Sequence, residues 1–329
     1  MTDPPGSAGP LLSVRGLDVE LTTPRGSGRV LSGLDLDVDV GEVIGLVGES
    51  GCGKTLAALS ILRLLPPAAR ITAGVVRFQG GDLAAATEEE LRRVRGRGIA
   101  MIFQAPRESL NPVLTIGQQL QLVLARHDRL VGSHGSARAE ELSRMVELPD
   151  PARVLRAYPH ELSGGMCQRA MIALALACRP ALLIADEPTT ALDVTVQLEI
   201  LALLRRLRER LGLALLLITH NLGVVAEVCQ RVAVMYAGEI VETAPAAELF
   251  RAPAHPYTRR LLEARPRIGA VLTGEPIPGS VPDPLARPPG CAFHPRCHRA
   301  QSRCRQTHPE ADGSAARAVR CFYPEAAPS

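Results

Sequence analysis

A chain of 329 residues, 46% hydrophobic and 22% charged, can bury a full core and form one large domain with a smaller one beside it. A formal net charge of +3 lacks the electrostatic footprint of a nucleic-acid binder, so no nucleic-acid partner is expected, and the basic run RRVRGR at 92–97 reads as a solvated face. MTDPPGSAGP at the start carries an acid and prolines where a secretory signal has basic and then apolar residues, and the longest apolar stretches fall short of the roughly 18 residues of a spanning helix. An intracellular protein without a membrane span of its own is expected, and its eight cysteines are expected as thiols, metal ligands or reactive groups rather than disulfides.

In chain order, LDLDVDV at 34–40 alternates apolar and acidic residues, the period of a strand with one buried and one wet face. VIGLVG at 43–48 is an unbroken apolar run suited to a strand of a parallel sheet buried on both faces. KTLAALSILRLL at 54–65 has helical composition and stops at Pro66 and Pro67. Residues 105–165 favour helix, with breaks expected at VGSHGS and LPDP, and read as an inserted helical lobe. ALLIAD at 181–186 and LALLLITH at 213–220 read as two further buried strands around a helical VQLEILALLRRLRERLG. Six prolines within 276–289 predict an extended linker, and a cysteine-rich tail follows it.

GESGCGKT, comprising Gly48, Glu49, Ser50, Gly51, Cys52, Gly53, Lys54 and Thr55, fits a phosphate loop and has the required strand before and helix after. Backbone N–H groups would close around the phosphates, Lys54 would reach the β and γ phosphates, and the Thr55 hydroxyl would ligate Mg2+. Of 37 basic residues Lys54 is the single lysine, which sets this position apart. Cys52, in the loop at a helix N-terminus, is expected to favour thiolate and to be alkylated unless ATP protects it, the bland alternative being an inert small residue. ALLIADEP ends a strand in two carboxylates: Asp186 is assigned to the metal and Glu187 to the attacking water. LSGGMCQR at 162–169 reads locally as a helix start with Ser163 as N-cap.

With these three motifs in this order, residues 12–250 resemble the ATP-binding cassette ATPases. The resemblance implies a dimer in which Leu162, Ser163, Gly164, Gly165, Met166 and Gln168 of one subunit meet ATP held by the phosphate loop of another. It also implies that Gln104 of MIFQ senses Mg2+ and the transporter, that Asp193 makes a cross-dimer contact, and that His220 meets the γ phosphate. MIFQ with SLNPVLTIG, YPHELSGGM, HPYTRRLLEARP at 255–266 and the proline-cysteine tail look like the importer cassettes for oligopeptides, dipeptides and nickel, which extends the resemblance over nearly the whole chain. Three positions depart from the family pattern. Leu21 stands where an aromatic usually stacks on adenine, and no aromatic precedes Phe78; Ala105 stands where an aspartate commonly follows the glutamine; and Cys167 replaces a polar or basic residue.

In the tail, Cys291, Cys297, Cys304 and Cys321 are separated by five, six and sixteen residues, wider than the short C-x2-C to C-x4-C pairs of zinc ribbons. Four thiolates can instead hold a [4Fe-4S] cluster, and the resemblance to the importer cassettes points the same way. A zinc site drawing on His294, His298 or His308 is the runner-up, and four unligated thiols the third reading.

The fold expected is α/β: a phosphate-loop ATPase core with a mostly parallel sheet, an antiparallel β layer, a helical subdomain over about 105–170, and a small cysteine-rich extension. The division is a disordered 1–11, a cassette over 12–250 and an extension over 251–329. The function the resemblance implies is an ATPase at the cytoplasmic face of a membrane, energising import of peptides or a related solute. Its implied partners are a second cassette subunit, identical or related, two permease subunits and, indirectly, an extracellular solute-binding protein. The competing class is a non-transport cassette ATPase of DNA repair or translation, for which the usual second cassette or long insertion is not seen in the sequence; a module that binds nucleotide without turnover is opposed by Glu187 and His220.

Overall fold

Four antiparallel strands make the first layer of the computed structural model, which describes residues 9–190, 192–264, 277–314 and 316–325. Gly26–Val38, Leu12–Thr23, Ala69–Phe78 and Gly81–Asp82 lie side by side in that order. The alternation seen in the sequence holds as far as Val38, with Leu34, Leu36 and Val38 buried while Asp35 is exposed and Asp37 half-exposed; Val40, expected on the buried face, lies past the strand and is 73% exposed. Across the first hairpin Leu21 pairs with Gly28.

Two units divide the chain. The first holds the residues up to Asp39, Val43–Ala85 and those from Thr219 on; the second holds Val40–Glu42 and Ala86–Ile218. Besides the antiparallel layer, the first unit contains the wholly buried strand Val43–Val47, parallel to Arg231–Tyr236. Glu239–Pro245 returns antiparallel to the latter, and the tail strand Ala318–Val319 adds to its edge with Glu242 opposite Val319. The tail is therefore sheet-bonded within the first unit rather than hung from it.

In the second unit Ile99–Ile102, Leu182–Asp186 and Ala214–Ile218 form a parallel, fully buried trio. The helical lobe expected near 105–165 is present as Pro106–Ser109, Ile116–Asp128, Gly132–Met145 and Pro151–Arg156. Ile116–Asp128 opens on a capping box, Thr115 accepting from the Gln118 N–H and Gln118 answering the Thr115 N–H. VGSHGS does not break the lobe as the sequence reading expects. It forms the first turn of Gly132–Met145, where Ser136 Oγ donates to the Gly132 carbonyl at 3.1 Å, and Ala139 and Leu142 downstream bury the face that makes the helix worthwhile. The arginines of RRVRGR are charge-paired on the surface, Arg92 and Arg93 with Glu88 and Glu89, Arg97 with Asp128, in agreement with a solvated face.

Positions 1–8 of the terminus read as disordered, Pro276 of the linker, Ala191 before Leu192 and Asp193, and the end of HPYTRRLLEARP lie outside the described residues.

Candidate active site

The phosphate loop connects Val43–Val47 to the helix Lys54–Ile61, the strand-loop-helix order its chemistry needs. Gly51 and Gly53 take φ of 79° and 110°, values open to glycine and strained for other residues, and at Gly53 a Cβ would also come within 2.9 Å of Leu31. Lys54 is 6% exposed, and its Nζ donates to the carbonyls of Gly48 at 2.9 Å and Glu49 at 3.0 Å, so the ammonium is held over its own loop. Thr55 is exposed on the first turn. Leu21 is half-buried on the hairpin strand.

Cys52 departs from the expectation of a reactive thiolate. It is 1% exposed, and burial pushes its thiol up; Lys54, 3.8 Å away, opposes that without reversing it. The helix terminus is outweighed by desolvation.

In the second unit the strand Leu182–Asp186 delivers Asp186 buried and Glu187 half-buried. Glu187 sits at φ 46°, a left-handed conformation that costs a non-glycine residue about 1 kcal/mol or more. Its N–H donates to the Ile218 carbonyl at 2.9 Å, and its Oε2 accepts from Thr190 Oγ1 at 2.8 Å and Gln104 Nε2 at 3.1 Å. Two of the sequence-assigned residues, Gln104 and Glu187, are thus brought into direct contact, with Thr190 as a partner the sequence reading missed. A carboxylate held by two hydrogen bonds, on a strained and hydrogen-bonded backbone, is suited to aiming at one point in space.

His220 is exposed, two residues beyond Ala214–Ile218. The intervening Thr219 N–H donates to Leu46 O at 3.3 Å, which ties His220 to the strand that feeds the phosphate loop.

Ser163 caps the helix Gly164–Leu176, accepting from the Met166 N–H at 3.3 Å, as read from the sequence. A Cβ on Gly165 would stand 2.9 Å from Val196, so glycine lets this helix start approach Leu192 and the helix Val194–Leu211, which Asp193 caps. Leu162 and Gln168 are buried, at 3% and 1% exposure, and so is Cys167. The accessible part of the motif is Ser163–Met166, a narrower set than the sequence assigned. Arg107 Nη2 donates to the Leu162 carbonyl at 3.0 Å, joining the segment after Gln104 to this motif; nothing in the spacing of the sequence marks it.

In the tail, the 3-10 turn His294–Arg296 and the helix Ser302–Gln306 bring Cys291 and Cys304 together, the Cys291 N–H donating to the Cys304 carbonyl at 2.8 Å. All four cysteines line one small pocket, with His255 and Phe293. Burial pushes the thiols of Cys291 and Cys321 up to about 11 and that of Cys297 upward. Among the described residues no group of three or more His, Cys, Asp or Glu side chains is placed to hold a metal ion.

The tail is anchored by an aromatic cluster. Tyr236, Tyr257 and Phe293 are all fully buried with ring centroids 4.7 to 5.3 Å apart, a concentration in a chain of only nine aromatic residues (four Tyr, five Phe). The Tyr257 hydroxyl accepts from the Glu49 N–H of the phosphate loop at 2.9 Å.

A phosphate loop after a buried strand, a fixed carboxylate after another and a glycine-opened helix define an ATP-hydrolysing cassette. Residues 31–190 match the ABC transporter family model and residues 241–304 the model for the oligopeptide/dipeptide transporter C-terminal region. A "probable peptide ABC transporter ATP-binding protein" of Sinorhizobium fredii is 51% identical over 305 residues, covering 91% of this chain and 90% of that protein. The dipeptide transport ATP-binding protein DppD of Bacillus subtilis is 47% identical over 305 residues, covering 91% and 90%. A dimeric ATP-binding cassette solved in a post-hydrolysis state with ADP and phosphate aligns with a TM-score of 0.64 at 27% identity, over 71% of this chain and 98% of its own. The chain belongs to the ABC transporter ATP-binding subunits that carry the oligopeptide/dipeptide transporter C-terminal region. It is an ATPase; the reading as a DNA-repair or translation ATPase is not favoured. No helix among the described residues is long and apolar enough to cross a membrane.

Proposed function

We propose that the chain hydrolyses ATP to drive import of di- or oligopeptides through a membrane permease. The observation that carries this is the joining, in one chain, of a match to the ABC transporter family with a tail of the oligopeptide/dipeptide type. Two permease subunits, a second cassette and an external binding protein complete the assembly, with this chain peripheral to the membrane.

In the proposed cycle, Lys54 and the loop N–H groups hold the triphosphate, and the nucleoside end lies toward Leu21. Thr55 and Asp186, aided by Gln104, would hold Mg2+, which when bound neutralises phosphate charge. Glu187 orients the attacking water and accepts its proton, His220 meets the γ phosphate, and Ser163–Met166 with Asp193 meet the nucleotide of the partner cassette. ATP closes the pair, hydrolysis reopens it, and the permease follows. The strained, three-point fixing of Glu187 supports its role.

For the tail we propose a [4Fe-4S] cluster on Cys291, Cys297, Cys304 and Cys321. The four cysteines line one pocket, and four thiol donors suit iron and sulfide. Such a cluster would staple a segment with little core of its own. Anaerobic purification with metal and sulfide analysis tests it: about four irons per chain and loss of colour in C297S support the cluster, and stoichiometric zinc without colour contradicts it. For transport, uptake of labelled peptides in cells lacking the chain, restored by the wild type and not by E187Q, is the expected result; uptake unaffected by the deletion would contradict the peptide reading.

A further inference from the structure

The base-stacking aromatic missing at Leu21 has a replacement in the fold. Leu21 lies opposite Gly28 in the hairpin register, so the two positions share a face of the sheet. Over Gly28 runs the proline segment that precedes the cysteine tail: a Cβ built on Gly28 would be 2.5 Å from the Pro284 carbonyl oxygen. Glycine at 28 is what lets the segment lie flat on the hairpin beside Leu21. Between this segment and the phosphate loop is a shallow pocket open to solvent. Its walls are Gly51, Gly53 and Leu56 on the phosphate side, Val30 on the hairpin, and Pro282 and Pro284 on the linker.

The linker is pinned in place. The Asp283 side chain caps the 3-10 turn Pro284–Ala286 through the Leu285 N–H at 3.0 Å and pairs with Arg25 at 3.4 Å. Further back, Arg296 Nε donates to the Pro278 carbonyl at 2.7 Å. Arg287, which also lines the pocket, pairs through Nη2 with the buried Glu239, while its buried Nη1 reaches no acceptor among the described residues. A buried guanidinium donor left unspent at the edge of a pocket is an invitation to a ligand oxygen or ring nitrogen.

We propose that this pocket holds the nucleoside of ATP, the proline segment supplying the apolar wall that the aromatic at 21 does not, and Arg287 donating to an acceptor of the ribose or base. Apolar packing against a purine face needs no aromatic partner, only a flat, desolvated surface, and two proline rings add little ordering cost because their φ is already fixed. The C-terminal extension thereby takes part in the ATP site rather than only folding beside it. This inference rests on the reading of the phosphate loop as the triphosphate site.

The experiment measures Mg2+-dependent binding of ATP and of inorganic tripolyphosphate to the full-length wild type, to K54A and to P282G/P284G, with 8-azido-ATP photolabelling of the wild type mapped by peptide. The wild type is expected to prefer ATP over tripolyphosphate, and P282G/P284G to lose about tenfold in ATP affinity while binding tripolyphosphate unchanged, which shows that the loop is still folded. L21F in the proline variant is expected to restore much of the loss, and the azido label to fall on residues 281–287 and to be displaced by ATP. ATP binding unchanged or tightened in the proline variant, or label confined to other peptides, would overturn the inference. ATP binding unaffected by K54A would instead overturn the reading on which it rests.

Discussion

Arg296 and Glu49 form a two-pronged ion pair, Nη1 to Oε2 at 2.6 Å and Nη2 to Oε1 at 3.0 Å, that joins the cysteine tail to the phosphate loop. Arg296 is 6% exposed at its side chain, and the pair raises its already high pKa against the desolvation of its burial. The Tyr236 hydroxyl stands 3.4 Å from Nη1, and the Tyr257 hydroxyl takes the Glu49 N–H, so both ends of one loop residue are held by the anchor of the tail. Glu49 is a variable position of the phosphate-loop pattern; here it has an architectural partner.

Removing either partner leaves a partly buried charge alone. R296A is expected to raise KM for ATP severalfold with a smaller effect on kcat, and R296K to recover only part, since an ammonium cannot form both bonds. In a double-mutant cycle with E49Q the coupling should be on the order of 1 to 3 kcal/mol. Additive losses would show that the pair does not act as a unit.

Thr190 touches no substrate in the proposed cycle and acts through Glu187. T190V removes the 2.8 Å hydrogen bond to Oε2 and leaves Gln104 as the remaining side-chain donor named for that oxygen. The expected outcome is a fall in kcat of about tenfold, with ATP affinity unchanged, since a hydrogen bond to a charged group carries about 1.5 to 3 kcal/mol. Equal loss in binding and turnover, read from equilibrium ATP binding beside steady-state rates, would mean a general structural role.

His255 supplies the acid limit of the tail anchor. Its Nδ1 accepts the Tyr257 N–H at 3.0 Å, and burial lowers its pKa from 6.5 to about 3. The unfolded chain therefore takes up a proton below pH 6.5 that the folded chain refuses until about pH 3. Stability from this residue is complete above that window and drains away as pH falls through it, by at most roughly 5 kcal/mol. H255N, which keeps an acceptor for the Tyr257 N–H, should flatten the fall in Tm between pH 7 and 4; an unchanged slope would assign acid sensitivity to other groups.

The phosphate loop, the cap at Ser163 and the strand ending in Asp186 and Glu187 were legible because each is a short contiguous pattern whose chemistry and local geometry coincide. The narrowing of 162–168 was less so: the burial of Leu162 and Gln168 leaves no mark in the motif itself. VGSHGS shows local turn chemistry losing to a helix whose buried face lies downstream. Cys52 shows a dipole argument losing to desolvation. Least legible were Thr190, Arg107 and Arg296, whose side-chain hydrogen bonds leave no periodicity in the sequence, although Arg296 sits inside the cysteine spacing that marked the tail.

The central claim is hydrolysis of ATP at a site where Lys54 holds phosphate and Glu187 handles the water. Its most direct test is ATP binding and steady-state hydrolysis measured side by side on the wild type and E187Q with Mg2+. The account predicts equal binding and a loss of turnover of at least about a hundredfold in the variant. Hydrolysis by E187Q at a near-normal rate would contradict it.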